Sequence, residues 1–289
     1  MGSELMLRRF ALSTREPASL GVLSVHLDGE RCRVGCEFCY LGARTDDGAA
    51  ALDLDLLEAA VERLSWDELA VAVSEPAGAA APALARLAAL AHRRERPLAI
   101  TTTCQIAAAH PELFDEAARV NLSVDPRKGP VEPARTGALA DFLHARAPAL
   151  DIVLIVSLIT PEFAARLIGG GLLAELVALK SVDKVALNAL KPPPPWCDRA
   201  FWLGACAELA PLLARALDTR LFLDCYVAAR ILGLGGCPAR ADLSPSPAGL
   251  AFRACVYQPA AEWIGADPAE LADRLRDFQP PATCPFPIK

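Results

Sequence analysis

Cys32, Cys36 and Cys39 stand in the run Cys32-Arg-Val-Gly-Cys36-Glu-Phe38-Cys39-Tyr40, a C-x3-C-x2-C spacing with Phe38 just before the last cysteine and Tyr40 just after it. Three thiolates this close can hold three irons of a cubane 4Fe–4S cluster and leave the fourth iron without a protein ligand. An iron left open is a place to bind and reduce a molecule. A structural zinc site usually takes four ligands in two close pairs, which this spacing fits poorly. A disulfide framework is disfavoured as well. No basic-then-apolar secretory stretch opens the chain, and a chain of 289 residues is not a small stapled scaffold. A chance run of three cysteines is the bland alternative, and the surrounding pattern argues against it.

The elements that must position such a loop alternate strand with helix. Residues 20–27 read as a first strand that ends just before the cysteine run, and 53–64 as an amphipathic helix with Leu56, Leu57, Ala60, Val61 and Leu64 at helical spacing. Further strands are expected over 69–73, 97–103, 120–124, 151–159 and 182–190, with helices over 82–94, 111–118, 134–146, 161–168 and 172–180 between and after them. Alternation of this kind predicts βα units around a parallel sheet, whose sites gather at the C-terminal ends of the strands. A stiff polyproline stretch at 192–195 precedes a helix from about Asp198, and 221–227 reads as a possible seventh strand. From about Ile231 glycines and prolines cluster and the alternation stops, which places a boundary there.

The cysteine spacing is the signature of the radical S-adenosylmethionine (SAM) enzymes, which this chain resembles. The resemblance implies an α/β fold, a partial (β/α)6 TIM-type barrel over 1–230 with a small irregular cysteine-containing extension over 231–289. It implies that Cys32, Cys36 and Cys39 hold the open-iron cluster and that SAM is bound there. Reductive cleavage of SAM would then yield a radical that takes a hydrogen atom from a substrate. Phe38 would lie near the adenine, with Tyr40 beside it among the cofactor-binding residues.

Further features carry the same resemblance. Val73-Ser74-Glu75-Pro76 follows the second strand where the family has Gly-Gly-Glu-Pro, so Glu75 or Ser74 would hold the SAM amino group; the two glycines are replaced. Ser123 and Asp125, in Asn121-Leu-Ser123-Val-Asp125-Pro126, share one strand face because the side-chain period is two. Like a Ser-x-Asp strand followed by an arginine in peptide-modifying members, they would reach SAM ribose or substrate, and Arg135 the SAM carboxylate. The bland reading of Arg135 is a solvated helix residue. Ser157 and Asn188 are polar residues in apolar strands and need partners, so they join the cofactor candidates, with backbone satisfaction as the alternative. His26 reads as a buried, hydrogen-bonded core histidine. His92, His110 and His144 take no role, and Cys104, Cys197 and Cys206 read as packing cysteines. Tyr226 and Tyr257, with Cys104, are candidates for a second hydrogen donor by chemistry alone.

Cys237, Gly249 and Cys255 follow the order that opens SPASM and twitch appendages, which bind auxiliary iron–sulfur clusters. The gap from Gly249 to Cys255 is one residue longer, and no C-x2-C pair follows. A shorter twitch-like segment is therefore expected, with Cys225, Cys237, Cys255 and Cys284 as ligands of a second cluster. A four-thiolate zinc site is the rival, and buried cysteines are the bland reading.

Composition bounds the rest. Hydrophobic residues make up 53% and charged residues 22%, enough apolar surface for a large core. Net charge is −6 with the signs interspersed, so no nucleic-acid partner is expected. No run approaches the roughly 18 apolar residues of a membrane span. Ten cysteines without a targeting segment point to reduced thiols and a cytoplasmic location. The expected partners are a peptide undergoing modification and a flavodoxin- or ferredoxin-type electron donor. A small-molecule substrate (amino acid, sugar or nucleotide) is the alternative, since no leader-binding domain is read ahead of the barrel. A non-catalytic iron–sulfur protein is the reading from another class.

Overall fold

The computed structural model describes residues 20–27, 53–73, 80–126, 131–190, 194–215, 220–223, 240–246, 248–253, 255 and 261–276. Ten strands form one mostly parallel sheet in the order β10-β9-β8-β1-β2-β3-β4-β5-β6-β7. The strands are β1 (Leu20–His26), β2 (Trp66–Ala72), β3 (Leu98–Thr103), β4 (Arg119–Val124), β5 (Asp151–Ser157), β6 (Lys184–Asn188), β7 (Leu221–Leu223), β8 (Arg240–Ser246), β9 (Gly249–Arg253) and β10 (Trp263–Gly265). The helices are α1 (Leu54–Arg63), α2 (Ala80–Arg93), α3 (Cys104–Ala109), α4 (Pro133–Arg146), α5 (Pro161–Ile168), α6 (Leu172–Val177), α7 (Arg199–Arg215) and α8 (Pro268–Arg276). β1 to β7 are parallel neighbours in chain order, β8 joins the free side of β1 in parallel, and β9 and β10 follow antiparallel. Among the described residues β7 and β8 share no ladder, so the sheet is not closed.

Alternation along the strands separates two faces. One carries Leu23, Val25, Leu69, Val71, Ile100, Val120, Leu122, Ile152, Leu154, Val156, Val185 and Leu187, all fully buried and all in the hydrophobic core with helix residues such as Leu57, Leu87, Leu143 and Leu167. When each new parallel strand is added on the same side, right-handed crossovers leave every connecting helix on one face. The strand order accounts for this one-sided core. Ala99, Val153 and Ala251 are also buried but belong to the opposite face and stand outside that core.

Helix starts follow local chemistry. The Asp53 carboxylate accepts from the Leu56 amide at 2.9 Å, and Thr160 Oγ1 accepts from the Phe163 amide at 3.2 Å ahead of Pro161 at the first helical position. Gly171, at φ 77°, separates α5 from α6, a left-handed turn that glycine adopts without strain.

Two expectations change. The helix expected over 111–118 starts earlier, as α3, because Thr103 caps it directly after β3. Pro111 then ends that helix, since the residue before a proline is disfavoured in the α region, and only a 3-10 turn, Pro111–Phe114, remains. The segment read as an irregular extension supplies β8, β9, β10 and α8, regular elements on the same sheet, with α8 beside α1.

Candidate active site on the polar face of the sheet

The second face is the more polar of the two, although Val22, Val153, Ile155 and Phe222 also lie on it. Reading along β1, β2 and β3 it carries Ser24 and His26, Ala70 and Ala72, then Thr101 and Thr103. β4 adds Asn121 and Ser123, β5 adds Ile155 and Ser157, and β6 adds Lys184, Ala186 and Asn188. In β4 and β6 burial alternates strictly, with the residues of this face half-buried. Parallel sheets usually have both faces covered by apolar side chains. Among the described residues this face is the more hydrophilic of the two.

The sequence-derived candidates divide on this frame. Ser157 and Asn188 are register partners on β5 and β6, and the Leu158 amide donates to the Asn188 carbonyl at 3.2 Å. Asp125 immediately follows β4 and is buried, and Ser123 sits two residues before it on the same face. The C-terminal ends of β4, β5 and β6 therefore bring Ser123, Asp125, Ser157 and Asn188 into one region. Arg135 stands apart in the first turn of α4. Its side chain is 73% exposed and its guanidinium lies 3.9 Å from the Glu132 carboxylate. Cys32, Cys36, Cys39, Phe38, Tyr40, Ser74, Glu75, Cys225, Cys237, Cys284, Tyr226 and Tyr257 lie outside the described residues. β1 ends at His26, on the C-terminal side of the sheet, six residues ahead of Cys32 in the sequence.

Cys255 is described and half-buried. β9 runs antiparallel to β8 with Arg253 opposite Asp242. Cys255, two residues further on, therefore follows β9 in the direction of the start of β1. Cys197 is buried, in keeping with a packing role, and burial pushes the Cys206 thiol up, away from easy ionisation. Among the described residues no group of three or more His, Cys, Asp or Glu side chains is placed to hold a metal ion.

Several residues of this face escaped sequence reasoning. Asn121 Nδ2 donates to Thr101 Oγ1 at 3.0 Å, and Cys104 Sγ donates to the Ser123 carbonyl at 3.9 Å. At the other side, His26 Nε2 lies 2.9 Å from Asp242 Oδ1, and Arg253 Nη1 donates to Ser244 Oγ at 2.8 Å and stands 3.9 Å from Asp242 Oδ2. All four of these side chains are buried. The signal was present as Asp242, Ser244 and Ser246 at period two, but the nearby prolines hid the strand. His26 is buried as expected, but on the polar face and not in the apolar core; its carboxylate partner is what the sequence did not disclose.

Compared with protein-family models the chain matches none, and a comparison with curated proteins gives no match. No helix among the described residues is long and apolar enough to cross a membrane.

Proposed function

We propose that this chain is a radical SAM enzyme whose substrate meets the polar face at the C-terminal ends of β1 to β6. The observation that carries the reading is the sequence spacing Cys32-x3-Cys36-x2-Cys39, six residues after β1 ends at His26. Three closely spaced thiols are a donor set suited to a 4Fe–4S cluster with one open iron, and Cys32, Cys36 and Cys39 would hold it. With SAM bound, that group supplies one-electron cleavage of SAM and a radical able to abstract hydrogen.

The chain's own residues would bind and orient. Ser123, Asp125, Ser157 and Asn188 offer hydroxyl, carboxylate and amide groups for the SAM ribose or the substrate, as Ser74 and Glu75 would for the SAM amino group. Ser24, Ala70, Ala72 and Ala99 are small, so the floor between β1 and β3 leaves room for a ligand. A substrate seated on this face would exclude water from it, which protects a reactive intermediate. The sequential parallel order supports reading 1–230 as a partial barrel of the (β/α)6 kind, with the polar face as its interior. The order Cys237, Gly249, Cys255 favours a peptide substrate and a second cluster with Cys225 and Cys284. With Cys255 toward the strand starts, such a cluster would serve electron transfer or structure more readily than substrate contact. A flavodoxin or ferredoxin would supply the electron, in the cytoplasm.

Anaerobic reconstitution with iron and sulfide, followed by dithionite and SAM, tests this. About eight irons per chain with 5′-deoxyadenosine released is the expected result. About four irons with release keeps the enzyme and removes the second cluster. Iron without release, in a sample that can be reduced, overturns catalysis in favour of a binding protein, and Cys36→Ala should abolish both release and the first cluster.

A further inference from the structure

The buried polar ladder across β1, β8 and β9 has no part in the chemistry assigned above. It runs from His26 on β1 through Asp242 on β8 to Arg253 on β9, with Ser244 completing it. His26 is 5% exposed, Asp242 0% and Arg253 4%. Charged groups are seldom buried to this degree unless each finds a partner.

The strand that carries Asp242 is also held by a five-residue ladder with β9, but its hold on β1 is shorter. Among the described side chains of β8, Leu243 alone is apolar, and it fills the core face while Asp242, Ser244 and Ser246 take the other. β8 pairs with β1 over only four residues, Arg240 to Leu243. A slip of one residue would turn Asp242 and Ser244 into the apolar core and Leu243 out of it. The cost of burying an unpaired carboxylate forbids that slip. Register pairing already sets Asp242 opposite Arg253, and His26 reaches back to the same carboxylate from the neighbouring strand. Buried charged contacts of this type disfavour arrangements that would part them, which apolar contacts alone would tolerate.

His26 is also the last residue of β1, six positions before Cys32. We propose that the His26–Asp242–Arg253–Ser244 ladder seats the C-terminal segment on β1 and, through His26, fixes the strand end from which the cysteine run leaves. His26 and Asp242 are then positioning residues of the site. The seating stands on the geometry alone, whereas the positioning rests on the radical SAM reading.

Amide hydrogen exchange on the purified chain without iron or SAM tests the seating. In Asp242→Asn, exchange over 240–253 should speed up by about a hundredfold or more, while 98–103, 119–124 and 151–157 keep their protection. Unchanged exchange over 240–253, or a uniform loss through every strand, overturns it. If Asp242→Asn fails to fold, Ser244→Ala removes only the hydroxyl that accepts from Arg253 and should give the same local pattern at roughly tenfold. Positioning is read separately, from the electron paramagnetic resonance spectrum of the reduced, reconstituted chain. Asp242→Asn should keep the parent's iron content and change the shift that SAM induces. An unchanged SAM-induced shift overturns positioning. A parent chain that takes up no iron sinks the functional reading and the positioning with it, while the exchange result still decides the seating.

Discussion

Thr102 sits on the core face of β3, 3% exposed, between the layers formed by Val73 and Leu122. Its Oγ1 is buried with no hydrogen-bond partner. A buried hydroxyl without a partner loses its hydration and gains nothing in return. Thr102→Val replaces it with a methyl of nearly the same shape. The variant is expected to be more stable by about 1 kcal/mol, which thermal melting should show as a rise of about 2 °C. An unchanged or lowered Tm would mean that the hydroxyl is satisfied in solution. Its neighbours Thr101 and Thr103 show how one-residue steps change roles. Thr101 accepts from Asn121 on the polar face, and Thr103 caps α3. The triple threonine was legible as strand, but the role of each member depended on which face it took.

At the scale of elements, caps and hydrophobic periodicity were readable and strand pairing was not. Asp53 before an apolar helical stripe marks the start of α1, and Asp198, which accepts from the Phe201 amide at 2.9 Å, marks that of α7. Asp53→Ala removes one cap from an exposed helix start and should cost about 1 kcal/mol in urea unfolding with an unchanged m-value. A loss well above that would mean Asp53 does more than cap; its neighbour Asp55 is already engaged with Arg86 at 2.7 Å. β8 illustrates the opposite case. Arg-Ala-Asp-Leu-Ser-Pro-Ser has weak strand propensity and a proline. It becomes a strand because β1 and β9 flank it. Pro245 is harmless there because it lies beyond the residues paired with β1.

For the whole molecule, the decisive property is the one-sided sheet, and charge is arranged mostly away from it. Arg86 bridges Asp55 and Glu58 between α1 and α2, and Arg146 grips Asp115 through two bonds of 2.6 Å. The Arg146 hydrogen bond holds the Asp115 carboxyl below its usual range, and that of Arg86 does the same for Glu58. A carboxylate lowered in the folded state stabilises above its unfolded pKa, about 4. That contribution fades as pH falls through the lowered folded value. Asp115→Asn should therefore melt below the parent at pH 6, and the gap should close as the pH falls from about 4 toward 2. Both groups are roughly half exposed, so high salt should narrow the gap at pH 6. A gap that persists at pH 2 would assign the loss to shape instead of charge.

The amino-acid sequence alone determined the cysteine triad, the alternation of strands and helices, and the placement of Ser123, Ser157 and Asn188 on strands with Asp125 just past the end of one. Each is a matter of residue spacing within a few positions. Tertiary structure decided which strands are neighbours. It placed Asp242 beside His26, more than two hundred residues away in the chain, with Arg253 on the far side of Asp242, and set Arg135 against solvent instead of among the polar strand ends. Local periodicity tells which face a side chain takes. Only the order and register of the strands tell what stands across from it, because a slip of one residue exchanges the two faces without altering the local pattern.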